Sequence, residues 1–217
     1  MNFDFKKFKA ITYKLKTYKL NRGMTYVELI IVLSIFSVMS SIVLFNYGKF
    51  QAKVDIKNLA NDIALKIVQS QKDAISGKLS TTQPTSRSWK PSYGVYFNSI
   101  ENKSFIYFID LEDPEQNGLY NTLSLCPSDI DECIDKINIT KGNNISNLQV
   151  FYPIGTPNPP SENDLSIVFT RPSSGAVISS NGLKLTDFNY VQITVSSSDD
   201  STKGYIKVYP SGRIQVN

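Results

Sequence analysis

The chain of 217 residues contains no histidine. That removes the side chain most used for proton transfer near neutral pH, and the commonest metal ligand. Its two cysteines, Cys126 and Cys133, have six residues between them. Without histidine they make a poor zinc site, since structural zinc takes four nitrogen or sulfur ligands. No glycine-rich phosphate loop follows a strand-like segment, and no ligand cluster has metal-site spacing. Nothing marks a serine or lysine nucleophile. No enzymatic activity and no cofactor is therefore expected. Asn-x-Ser/Thr sites at Asn102, Asn138 and Asn144 arise readily by chance in an asparagine-rich chain. No sustained repeat runs through it.

Charge is scarce in one place and one-sided in two others. From Met24 to Phe45 there are 22 residues and a single charge, Glu28. As a helix this stretch would be about 33 Å long, against a bilayer hydrocarbon core of about 30 Å. Before it, Lys6, Lys7, Lys9, Lys14, Lys16, Lys19 and Arg22 face Asp4 alone, so residues 1–23 carry +6. The total is +4, which leaves −2 for the chain from Met24 onward. A basic isoelectric point here is a property of the leader and does not announce a nucleic-acid binder. Positive charge before a span keeps that end cytoplasmic. The chain is thus expected to be a single-pass protein of the inner or cytoplasmic membrane, with everything after Phe45 outside.

A carboxylate inside a spanning helix costs roughly 2.5–3.5 kcal/mol on insertion scales and usually has a partner. Glu28 lies close enough to the interface to escape part of that cost. Gly23, directly after Arg22, is the kind of small residue at a polar–apolar boundary that a peptidase cuts. The run Arg22-Gly23-Met24-Thr25-Tyr26-Val27-Glu28, with the apolar stretch behind it, resembles the class III signal of type IV prepilins and type II secretion pseudopilins. The resemblance implies cleavage between Gly23 and Met24 by a prepilin peptidase and N-methylation of Met24. It implies that Glu28, then the fifth residue, meets the α-amine of a neighbouring subunit during assembly. Its implied partners are the prepilin peptidase, other pilin or pseudopilin subunits, an inner-membrane assembly platform and membrane lipid.

Beyond Phe45 the helical period continues. Ile56, Leu59, Ala60, Ile63, Ile67 and Ala74 recur on one face, with charged and amide residues between them. Gly48 is expected as a soft point and Gly77 as the stop. From Pro91 the period changes to two. Strands are expected at 93–98, 104–110, 148–152, 165–170, 176–179, 190–196, 204–209 and 213–216. The expected organisation is a basic leader over 1–23, a long helix over 24–77 with its transmembrane part at 24–45, and a β-rich extracytoplasmic domain over 78–217. The fold class is α+β, a long helix packed on antiparallel sheet. The run Tyr93-Gly94-Val95-Tyr96-Phe97, the segments Phe105–Asp110 and Ile167–Phe169, and the ending Tyr209-Pro210-Ser211-Gly212-Arg213-Ile214 look like the GspH/FimT-type minor pilins.

Three candidate sites lie in this domain. An exported location favours a disulfide between Cys126 and Cys133. Between Asp110 and Asp135 there are eight acids and no lysine or arginine. Asp110, Glu112, Asp113 and Glu115 suit calcium by ligand type, but not by EF-hand spacing; the plainer alternative is a solvated acidic loop. Arg213 is a nucleic-acid candidate, since FimT-like relatives are reported to use a Gly-Arg-x-Arg ending. Here Gln215 replaces the second arginine, and few cations and a net −2 argue against DNA. The whole reads as a minor pilin or pseudopilin precursor, assembled into a type IV pilus or a type II secretion pseudopilus. The alternatives are a DNA-uptake pilin, or a single-span anchored extracytoplasmic binding domain that forms no filament.

Overall fold

The computed structural model describes residues 23–79, 90–112, 116–121, 126, 131–153 and 161–217. The basic leader before Gly23 lies outside the described residues. The chain divides into two compact units between Asn46 and Tyr47. One helix, α1 (Tyr26–Ser76), contributes to both.

In the first unit α1 buries no large side chain. Every large apolar residue with a described side chain, from Met24 to Leu44, is exposed. An 18-residue window of the helix has a mean hydropathy of 2.5, so it is long and apolar enough to span a membrane. The helix runs without a break through Gly48, the expected soft point. A single glycine costs only about 1 kcal/mol relative to alanine.

In the second unit the helix becomes one-sided. Ile56, Ala60, Ile63, Ile67 and Ala74 are buried, and Leu59 packs beside them. The stop lies where expected. Gly77 has φ +66°, its N–H donates to the Ala74 carbonyl at 3.0 Å, and the Lys78 N–H donates to the Asp73 carbonyl at 3.0 Å. That pair of bonds is a Schellman ending, which needs a left-handed residue after the last helical one.

Ten strands follow. They are β1 (Ser92–Asn98), β2 (Ser104–Ile109), β3 (Cys133–Asn138), β4 (Asn144–Phe151), β5 (Asp164–Thr170), β6 (Ala176–Ser180), β7 (Leu183–Lys184), β8 (Tyr190–Ser196), β9 (Lys203–Val208) and β10 (Ile214–Val216). They form two antiparallel sheets, with orders β3-β2-β1-β5-β6-β7 and β10-β9-β8-β4. The layout is α+β. Tyr93, Val95 and Phe97 of the first sheet, Val191, Ile193 and Val195 of the second, and the helix stripe join one core cluster. A Cβ at Gly204 would meet Ile56 at 3.0 Å and Ala60 at 3.5 Å, so glycine there admits the helix close to β9.

The helix is also tied to the strands by polar contacts. Tyr107 on β2 donates to the Asp73 carboxylate at 2.5 Å, and Tyr93 donates to the Lys78 carbonyl at 2.8 Å. Burial pushes the Tyr93 phenol up to about 12.

Candidate functional site

The residues around the expected processing boundary adopt a defined local structure. Gly23, Met24 and Thr25 precede the helix and belong to no regular element. Among the described residues beyond its chain neighbours, no atom lies within 4 Å of where a Gly23 Cβ would be, and Met24 is 63% exposed. Thr25 is the N-cap. Its hydroxyl accepts the Glu28 N–H at 3.3 Å, and its carbonyl accepts the Leu29 N–H at 3.0 Å. Thr25-Tyr26-Val27-Glu28 therefore fits the capping-box sequence, in which a threonine precedes a glutamate by three positions. That signal is readable in the sequence, yet a reading centred on the glycine and the acid passes over it. Glu28 sits in the first turn, where the helix dipole favours an anion. Its neighbours Val27, Leu29, Ile30 and Ile31 are all exposed.

Three of the acids after β2 are turned inward. Asp110 is fully buried, while Asp131 and Glu132 are 6% and 5% exposed. Asp110 accepts the Gly118 N–H at 2.8 Å and the Glu112 N–H at 3.3 Å. Glu132 accepts the backbone N–H groups of Leu111 and Asn121. The two carboxylates thus hold backbone groups that no strand partner satisfies. Tyr120 is laid against Phe108 and Tyr96, with ring centroids 5.2 and 5.0 Å apart. Gly118 has φ +71° and would touch Val177 if it carried a Cβ. Residues 116–121 thus cover part of the face of the first sheet that turns away from the helix. Cys126 and Cys133 are bonded, with Cα atoms 5.5 Å apart, which ties residue 126 to the start of β3.

Burial pushes the Asp110 carboxyl up to about 6 and that of Glu132 up to about 7, against the lowering effect of the backbone donors. Among the described residues, no three acidic or cysteine side chains converge on a point where a metal could sit. Of the calcium candidates, Asp113 and Glu115 lie outside the described residues. Asp110 is turned onto backbone N–H groups, and Glu112 accepts from the Asn121 side chain at 2.9 Å.

The ending that resembles minor pilins has a packing role. Gly212 has φ +81°, and a Cβ there would collide with the backbone of Ser174. Gln71 of α1 donates to the carbonyls of Ser174 at 2.8 Å and Gly212 at 3.3 Å, stitching the β5–β6 and β9–β10 turns to the helix. Arg213 lies on the ring of Tyr209, 3.8 Å from its centroid. It belongs to a group of rings and cations on the outer face of the second sheet.

Comparison with protein-family models, with curated proteins and with solved structures gave no match.

Proposed function

We propose that this protein is the precursor of a minor pilin or pseudopilin, of GspH/FimT-like type. A prepilin peptidase cuts between Gly23 and Met24 and methylates the new α-amine, and the mature subunit enters a type IV pilus, a type II secretion pseudopilus or a DNA-uptake filament. One observation carries the reading. An open glycine stands three residues before an uninterrupted apolar helix whose sole early charge is Glu28, and the same helix becomes the core stripe of a β-rich unit. The apolar part holds the subunit in the membrane until neighbours replace lipid. Lipid tails are as apolar as those neighbours, so close packing and a polar contact must favour assembly. Glu28 supplies that contact by meeting the α-amine of an adjacent subunit, which compensates a carboxylate that is costly in an apolar setting.

Intact-mass analysis after co-expression with a prepilin peptidase tests this. Loss of residues 1–23 with one methyl added at Met24, and no processing of Gly23→Ala, is the expected result. An unprocessed wild-type chain would overturn it and leave a single-span anchored domain.

A further inference from the structure

The second sheet has two unlike faces. One carries Val191, Ile193, Val195, Ile206 and Val208 into the core. On the other, Phe151 stacks on Tyr190 with centroids 4.6 Å apart, and Tyr190 meets Tyr209 at 5.5 Å. Lys207 lies over Tyr190 at 4.7 Å and Arg213 over Tyr209 at 3.8 Å. Cations on ring faces are held in place without losing their charge. Lys203, four residues before Lys207 on β9, projects from the same face about 13 Å away. The strands β4, β8, β9 and β10 contain no aspartate or glutamate. None of these three cations joins an ion pair among the described residues. The flanking acids Asp187, Asp199 and Asp200 lie in the turns at the strand ends, and Asp199 is engaged by Ser197 and Ser201. A chain that is net negative from Met24 onward thus presents one cationic face, interleaved with the amides of Asn147, Gln149, Gln192 and Gln215.

We infer that this face binds an acidic polysaccharide, a polymer in which each sugar carries one carboxylate beside its hydroxyl groups. Charge complementarity requires an anion, and guanidinium–carboxylate contacts are strong and directional. The balance of donors selects the polymer. Three cations accompany the amides of Asn147, Gln149 and Gln192, while Gln215 is held by Tyr209 and Asn217; that mix suits a ligand richer in hydroxyls than in charge. A nucleic acid fits less well on two counts. Its affinity comes mainly from neutralising many phosphates, and three cations are few. Its bases need several free ring faces to stack on, whereas Tyr190 is covered by Phe151 and Lys207, Tyr209 by Arg213, and Tyr205, 37% exposed between Lys203 and Lys207, is a single ring. This proposal does not depend on the pilin reading.

The test uses the full chain in nanodiscs of zwitterionic lipid, titrated with polygalacturonate, neutral dextran and single-stranded oligothymidylate. Polygalacturonate is expected to bind, to weaken with added salt, and to bind at least tenfold more weakly to the Lys207→Gln/Arg213→Gln double variant. Both side chains lie on the surface, so melting of the variant checks that its fold is kept. Gln192→Ala, which leaves the charge unchanged, is expected to weaken binding as well. Absence of polygalacturonate binding, equal binding of dextran, insensitivity to the double variant, or tighter binding of oligothymidylate would each overturn the assignment.

Discussion

Gly212 and Gly182 show how one backbone property has different consequences at two positions. Both have positive φ, +81° and +77°. Gly182 has open space around it, whereas Gly212 is pressed on the Ser174 carbonyl and the Gln71 amide. A left-handed residue other than glycine costs about 1–2 kcal/mol. Gly182→Ala should therefore lower stability by about that much. Gly212→Ala should cost more, because the turn must also move and the Gln71 bonds break. Chemical denaturation of both variants checks the order, and equal losses would remove the packing role given to the ending. Glu28 permits a similar separation. Glu28→Gln keeps the capping-box side chain type but removes the charge. On the assembly reading, Glu28→Gln should be processed normally and yet fall out of filaments like Glu28→Ala. Immunoblotting of sheared filaments against membranes measures this, and wild-type incorporation of Glu28→Gln would reduce Glu28 to a helix-cap residue.

At the scale of elements, the cover over the first sheet should make stability depend on pH in an unusual direction. Asp110 and Glu132 have ordinary values of 3.8 and 4.5 and are raised to about 6 and about 7 in the fold. Between those limits the folded chain holds more protons than the unfolded one, so stability falls as pH rises. One carboxyl shifted by about two units corresponds to about 3 kcal/mol. Burial also raises the Asp73 carboxyl, but the Tyr107 hydrogen bond and the Lys78 cation outweigh it and leave it below 3.8. Its contribution is present above that value and is lost in stronger acid. The melting temperature of residues 47–217 should rise as pH is lowered from 8 to 5, then fall below 4. Glu132→Gln should flatten the upper limb and lower the melting temperature at pH 5. A curve that rises steadily from pH 5 to 8 in the wild type would contradict the buried carboxylates. Reduction of the Cys126–Cys133 bond should cost about 2–3 kcal/mol from its short loop, read as a lower melting temperature in reductant.

Taken whole, the molecule was legible where one physical rule dominates a stretch. The apolar run, the helix stripe, the Gly77 stop and eight of the strands follow from periodicity and turn residues. The elements that escaped are those where burial and charge conflict. The charged strand β3 lies at a sheet edge, where exposed polar residues are tolerated. Strand β7 has two residues and no pattern to show. The inward carboxylates of Asp110 and Glu132 were hidden because acids usually mark a solvated loop, and only the three-dimensional need to satisfy loop N–H groups turns them in. The last consequence concerns the two units. All buried apolar side chains of the core cluster come from Ile56 onward, and none from residues 23–44. Among the described residues, 23–44 thus give the core cluster no member, and their exposed apolar surface demands lipid or protein. Residues 47–217 alone should be a soluble monomer, melting within about 2 °C of the full chain in detergent. The full chain should aggregate once detergent is withdrawn. Circular dichroism melting and gel filtration measure both outcomes. A fragment that melts without a cooperative transition would mean that the apolar part of α1 helps to hold the β-rich unit together.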